Sequence, residues 1–430
     1  MFLLSCLALG AFNALLTISR NLIPCLLGSG LLARHYGAMS SNRTILGLAF
    51  RRYAEPAPFY ITQSDRLMHL YAIGQTGTGK STLLFNLALQ DAQAGQGFCL
   101  IDPHGDIAQG LHDHLQIEHL YWDVADPDCR LGYNPLQSVS AQYRPLVASG
   151  LIETLKKQWP DAWGARMEHL LRYSVLALLE QPQADLRDVM RLFLYKTFRK
   201  QVIENLTDPQ VRFFWKSEYP AMNYQTSSDG VSPVANKIEA FLAHPTVRTA
   251  LCEPQTPLRF RKLMDERSIL IVNLAKGRLG TDMSNILGGL ITSNLMQAAF
   301  TRHDTPEANR RPFFLYVDEF HNLTTKSFAG LLSEARKYGL GLTLAHQHLS
   351  QTDIEVRDAI LGNVGTMVVY RVGANDAPVF ERLLPPFTAR DFEAQPNHRA
   401  AVWLMHHGER LKPFSAAMQP PYRSGACGGC

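Results

Sequence analysis

The stretch HLYAIGQTGTGKSTLLFNLALQ, residues 69–90, decides how the chain is read. It meets the pattern G-x-x-x-x-G-K-[ST] at Gly74, Gly79, Lys80 and Ser81. The flanks matter as much as the letters. An apolar run over 69–73 predicts a strand, and Leu83, Leu84, Leu87 and Ala88 lie at helical spacing. Glycines at 74, 77 and 79 let the backbone curl so that successive N–H groups point inward at phosphate oxygens. The start of the following helix adds its positive dipole end. The loop Gly74, Gln75, Thr76, Gly77, Thr78, Gly79, Lys80, Ser81 and Thr82 is therefore the predicted cradle of a nucleoside triphosphate. Lys80 is expected on the β- and γ-phosphates and Ser81 on Mg²⁺.

The second half of such a site is expected far along the chain. FFLYVDEFHN, residues 313–322, is an apolar strand ending in Asp318 and Glu319, and carboxylates at the C-terminal ends of parallel strands face the ligand crevice. Asp318 is expected to hold Mg²⁺ and Glu319 to orient or deprotonate an attacking water. The next strand, LGLTLAH, runs into Gln347, a side chain able to sense the terminal phosphate. Between them, Arg336 is read either as a solvated helix face or as a residue reaching across an interface between like subunits, with Lys337 as its substitute. Asp102, His104 and Asp106 in IDPHGD are read as an acidic loop beside the nucleotide or as a structural turn.

The rest of the chain organises these motifs. Runs at 98–102, 119–124, 268–274, 313–317, 340–346, 366–372 and 400–405 predict strands separated by helices, hence an α/β fold with a mainly parallel sheet. Residues 135–257 carry helical periodicity with almost no strand signal. The expected domains are 41–134 with 258–412 as a nucleotide-binding motor, 135–257 as an inserted all-α domain, and 413–430 as a flexible tail.

Residues 1–40 are an apolar leader with no charge before Arg20; a membrane anchor, a buried leader and an overlong start all remain open. Arg34, Arg43, Arg51 and Arg52 would keep the remainder of the chain on the cytoplasmic side of a membrane. A net charge of +4 over 430 residues neither demands nor excludes nucleic acid. Seven scattered cysteines give no disulfide framework, which suits a reducing compartment. The pairs Lys156-Lys157 and Arg199-Lys200 are read as solvated faces or as DNA contacts, and the histidine pairs lack structural zinc spacing.

Taken together, GQTGTGKST, IDPHGD, LYVDEFHN and EARKYGLGLTLAHQ resemble the RecA-like P-loop motor ATPases of the conjugative coupling protein group (TraG/TraD/VirD4-like), within the HerA/FtsK superfamily. The likeness covers roughly residues 43–405. It implies ATP and Mg²⁺ as cofactors, a homo-hexameric ring, DNA in a central pore, and relaxase, secretion-channel and membrane partners. It also implies Lys80 and Ser81 as phosphate and metal contacts, Asp318 and Glu319 as metal-binding and water-activating acids, Gln347 as sensor and Arg336 as a finger acting in trans. Coupling proteins usually carry two membrane helices, and here at most one span is credible. A nucleotide-switched assembly component is the competing reading.

Overall fold

The computed structural model describes residues 42–51, 53–222 and 230–421. The leader at 1–40 and the last residues of the expected C-terminal tail, 422–430, lie outside the described residues.

Strand order follows from which strands are buried on both faces. In chain order the strands are β1 (Arg43–Arg51), β2 (Ala54–Thr62), β3 (Leu70–Ile73), β4 (Gly97–Asp102), β5 (Leu120–Asp123), β6 (Leu131–Gly132) and β7 (Thr256–Pro257). They continue with β8 (Ile269–Asn273), β9 (Phe313–Val317), β10 (Leu340–His346), β11 (Thr366–Val369), β12 (Arg399–Trp403), β13 (Met405–His406), β14 (Glu409–Arg410) and β15 (Phe414–Met418). Eleven of them form one sheet in the order β2-β1-β15-β12-β11-β3-β10-β9-β4-β8-β5. From β11 to β5 all neighbours are parallel. Strands such as FFLYV and ILIVN read as continuous apolar runs because helices cover both faces. Along β9, Phe313, Leu315 and Val317 join one core cluster while Phe314 and Tyr316 join the other.

The other end of the sheet is antiparallel: β12 pairs β11, β15 pairs β12, and β1 lies between β15 and β2. This corrects one sequence expectation. Residues 413–430 are not a tail from their start, because Phe414–Met418 is an inner strand of the sheet. The contact is close: a Cβ on Gly47 would lie 2.2 Å from the Ala417 carbonyl oxygen.

The helical segment leaves and rejoins the sheet domain through a narrow neck. Leu131 and Gly132 of β6 pair in parallel with Thr256 and Pro257 of β7. Within it, helices Arg144–Gln158, Ala165–Leu178, Arg187–Leu194, Lys196–Asn205, Val231–Leu242 and Pro245–Cys252 pack their apolar faces together. Their core is continuous with one face of the sheet: Leu151, Leu155 and Leu170 share a cluster with Leu290, Phe320 and Leu323. Among the described residues, no helix is long and apolar enough to cross a membrane.

One buried polar group fixes the two halves of the sheet domain to each other. The guanidinium of Arg66 donates to both carboxylate oxygens of Asp91, on the Lys80–Gln93 helix, and at 2.5 Å to the Tyr316 hydroxyl on β9. It also stacks 3.7 Å from the centroid of the Phe314 ring. Arg66 and Asp91 are each 2% exposed, so removing one partner strands a charge in the interior. Asp91→Ala is expected to cost about 3–5 kcal/mol of unfolding free energy, read by denaturant titration. A loss under about 1 kcal/mol would show that the group is incidental.

Candidate functional site

The site is built where three neighbouring parallel strands end. β10 lies between β3 and β9. Strand spacing then puts the ends of β3 and β9 within about 10 Å of each other.

The loop after β3 curls as its glycines allow. Gly77 and Gly79 hold φ of 77° and 120°, conformations that side chains with a Cβ rarely adopt. Gly74 is required by space instead, since a Cβ there would lie 2.5 Å from that of Tyr370. Not every loop residue faces a ligand. Thr78 is buried, donates through its hydroxyl to Gln75 O at 2.7 Å, and accepts at its carbonyl from His398 N. Gln75 accepts from the Arg371 side chain at its amide oxygen and donates its backbone N–H to Arg371 O. Tyr370, Arg371 and His398 thus brace the loop from β11 and from the turn before β12. No sequence motif marks them, because they act by shape.

Lys80 opens the helix and folds back over the loop, donating to Gly74 O at 2.6 Å and Gln75 O at 3.2 Å. Burial lowers its pKa, and the charges of Asp318 and Glu319 oppose that shift. The Ser81 hydroxyl donates to Asp318 at 3.3 Å, so residues 237 positions apart share one corner. Two hard oxygen donors so placed suit a small divalent cation such as Mg²⁺. Asp318 is also out of balance as it stands. Burial first, then the charges of Asp102 and Glu319, push its carboxyl up to about 7, with Lys80 pulling the other way.

Glu319 sits at φ 47°, a left-handed conformation that costs a non-glycine residue roughly 1–2 kcal/mol and turns its side chain toward the P-loop edge. Its carboxylate accepts from Gln347 Nε2 at 2.7 Å, and the Gln347 oxygen accepts from Thr76 at 3.1 Å. On its other side, His321 Nδ1 stands 3.5 Å from Glu319. A continuous polar line therefore joins the phosphate loop, the end of β10 and the acid after β9. His346 lies beneath this line, its Nε2 2.6 Å from the Tyr71 hydroxyl, with burial holding its pKa well below the usual histidine range. The sequence offered His346 only as half of a histidine pair weighed for zinc, and gave His321 no role. Their place beside Glu319 follows from their positions one residue before Gln347 and two after the acid.

Two expected site residues lie elsewhere. Asp102 is fully buried, and its carboxylate accepts from the backbone N–H groups of His104, Ile107 and Ala108. It is spent on capping the Asp106–His114 helix and reaches the site only through its charge on Asp318. Of the two readings of IDPHGD, these bonds support the structural turn over the nucleotide contact. Arg336 is exposed in the turn before β10, at the opposite edge of the sheet from Lys80. Of the basic pairs, Lys156 bonds Glu168 at 2.9 Å near the surface, whereas Lys157 is turned inward and donates to the carbonyls of His321 and Thr324. Burial brings the Lys157 ammonium down to about 8 against the pull of Asp353.

With this geometry in place, comparison with known proteins is direct. Residues 312–383, which span β9, Asp318, Glu319, β10, Gln347 and β11, match the family model described as the TraM recognition site of TraD and TraG. Over this stretch the chain resembles TraD and TraG. Its fold is similar to that of the plasmid coupling protein TrwB in complex with ADP and Mg²⁺, at a TM-score of 0.57 and 16% identity, over 89% of this chain and 96% of that one. TrwB in complex with the GTP analogue GDPNP matches at 0.56 and 16%, over the same shares. VirB4 of Thermoanaerobacter pseudethanolicus matches at 0.59 and 14%, over 89% of this chain and 97% of that chain. No curated protein matches the chain by sequence. The chain thus has the RecA-like P-loop α/β fold of these structures.

The raised carboxyl of Asp318 gives a signed test. Without cation, the folded protein holds a proton on Asp318 that the unfolded chain gives up near pH 4, so this group's contribution to stability is lost as pH rises from about 4 through about 7. Asp318→Asn should therefore be more stable than the wild type at pH 8 in chelator, with the difference shrinking toward pH 4. Thermal melts across that range read it, and a difference independent of pH would refute the assignment.

Proposed function

We propose that the chain is an ATP-hydrolysing motor of the conjugative coupling type that moves DNA through a homo-hexameric ring. The observation that carries this reading is the unbroken polar line from Thr76 through Gln347 to Glu319, beside the Ser81 and Asp318 pair. It sets a phosphate-binding loop, a side chain that can feel the terminal phosphate and a base on one sheet edge.

In this mechanism the loop amides and Lys80 hold the phosphates of ATP, Lys80 exchanging its bonds to Gly74 O and Gln75 O for phosphate oxygens. Mg²⁺ held by Ser81 and Asp318 would neutralise charge on those oxygens. Glu319 accepts a proton from the water that attacks the terminal phosphorus, and Gln347 aims the carboxylate while its bond to Thr76 ties that aim to the loop. When the terminal phosphate leaves, Gln347 carries the change along β10 toward Arg336 at the far edge. Arg336 is too far away to serve its own site, and its exposure suits contact with the site of a neighbouring subunit. TrwB is described as a plasmid coupling protein and VirB4 matches as closely in fold, which supports a setting in type IV secretion. The TraM recognition description of residues 312–383 supports relaxosome-related partners, and the coupling-type reading adds secretion-channel proteins. We place the motor at the cytoplasmic face of a bacterial membrane.

A kinase would need a pocket for an acceptor. Two cavities among the described residues, of about 690 and 560 Å³, are lined by residues such as Arg259, Lys262 and Glu266 and not by Lys80.

The test is ATP turnover of the purified protein with and without single- and double-stranded DNA, with particle imaging. DNA should raise turnover and rings should be visible. A monomer indifferent to DNA would favour the nucleotide-switched assembly component instead. Lys80→Ala should abolish ATP binding. Glu319→Gln should bind ATP but turn over about 10²- to 10⁴-fold more slowly; wild-type turnover in Glu319→Gln would remove it from the role of base.

A further inference from the structure

Behind Glu319 the chain makes a tight turn. Asn322 N–H donates to Glu319 O, while those of Leu323 and Thr324 both donate to Phe320 O. Such a turn leaves later carbonyls without partners in the turn itself. Two of them, His321 O and Thr324 O, accept from the ammonium of Lys157. Lys157 is not part of the sheet domain. It stands in the last turn of the Arg144–Gln158 helix, the first long helix of the all-α insertion.

That helix is seated without slack. A Cβ on Gly150 would lie 2.4 Å from Ser293 Oγ and 2.5 Å from Gln297 Nε2, both on the Thr281–Phe300 helix of the sheet domain. In the reverse direction, a Cβ on Gly289 would lie 2.8 Å from Thr154 Cγ2. A Cβ on its neighbour Gly288 would lie 2.6 Å from a methyl carbon of Leu323. Next to Lys157, Gln158 donates to Asp282 at 2.7 Å. Small residues thus bring the insertion helix, the Thr281–Phe300 helix and the turn after Glu319 into one packed unit, and packed units of this kind transmit displacement.

From this we infer that Lys157 is a positioning residue for the reaction: by clamping the carbonyls of the turn behind Glu319, the all-α insertion holds the base at its working angle. The inference rests on the hydrolytic reading of Glu319 above. An ammonium gathers two carbonyls that a neutral chain of equal length would leave unbonded, and a bonded carbonyl buried here is costly to orphan. The Glu319 carboxylate then keeps its aim on Gln347 only while the turn keeps its place.

The experiment compares wild type, Lys157→Met and Lys157→Arg in the full chain. The measurements are kcat, KM for ATP, thermal midpoint, and amide hydrogen exchange over residues 74–82 and 319–325. Lys157→Met should lose about 10- to 100-fold in kcat with KM held, the midpoint falling only by the small cost of the two orphaned carbonyls. Its exchange should rise over 319–325 and stay unchanged over 74–82, and Lys157→Arg should recover most of the rate. Turnover of Lys157→Met within twofold of wild type overturns the inference, as does a loss spread equally over kcat, KM and midpoint. If Lys157→Met fails to fold, Lys157→Gln, which keeps one donor, is judged by the same measurements, and failure of both marks a merely structural lysine and overturns it too. Absence of turnover in the wild type defeats the hydrolytic reading itself, and the exchange over 319–325 still decides whether the clamp exists.

Discussion

Everything in the site depends on one strand standing between two others. Because β10 separates β3 from β9, the phosphate loop and the acidic turn approach from either side of a single strand end, and the residue at that end, Gln347, can bond to both. Were β3 and β9 direct neighbours, the loop and the acids would crowd without leaving a middle position. Were they two strands further apart, Ser81 could not reach Asp318. The parallel arrangement supplies the other half of the constraint, since only parallel strands deliver all three ends to the same edge. The Arg66, Asp91 and Tyr316 group guards this register from within the core, tying the far end of the phosphate-loop helix to the strand that carries the acids.

Much of this was legible from the amino acids alone. Strands such as FFLYV and FCLID stand out because burial on both faces forces an unbroken apolar run, and the P-loop glycines stand out because backbone geometry admits little else. The antiparallel extension was not legible. AEPAPFYIT holds two prolines, tolerable because β2 is an edge strand, and FSAAM is too short and small to announce itself. Both owe their structure to partners distant in the chain: β15 exists because β1 and β12 offer open edges to it. The roles of Asp102 and Lys157 failed to show for a related reason. A carboxylate before a helix and a lysine at a helix end look the same in sequence whether they face water, a ligand or a backbone group, and only the tertiary arrangement chooses.

The insertion also changes meaning once its contacts are known. As a periodic pattern it is a separate helical domain. In the fold it enters and leaves through the β6 and β7 neck, yet its apolar residues continue into the sheet core through Leu151, Leu155, Phe320 and Leu323. Covalent separation and mechanical separation are thus different things here. The chain is narrow at the neck, where backbone pairing fixes position, and broad where the Arg144–Gln158 helix lies along the Thr281–Phe300 helix. On the inference drawn above, a displacement of the insertion reaches the turn after Glu319 through this packed contact and the Lys157 bonds.

The charge balance of the corner points the same way as its geometry. Asp102, Asp318 and Glu319 bring three carboxyls against one ammonium, that of Lys80, in a place where burial already disfavours charge. A nucleotide triphosphate is itself strongly anionic, so such a corner would repel the ligand its loop is shaped to hold. Protonation of Asp318 is one escape, favoured by the burial and neighbouring charges that push its carboxyl up to about 7. The other is a divalent cation shared between Asp318 and the phosphates, which turns the repulsion into a bridge. On the reading proposed above, the acids are not obstacles to nucleotide binding. They make it conditional on the metal, so that the triphosphate and its cation arrive as one ligand beside Glu319.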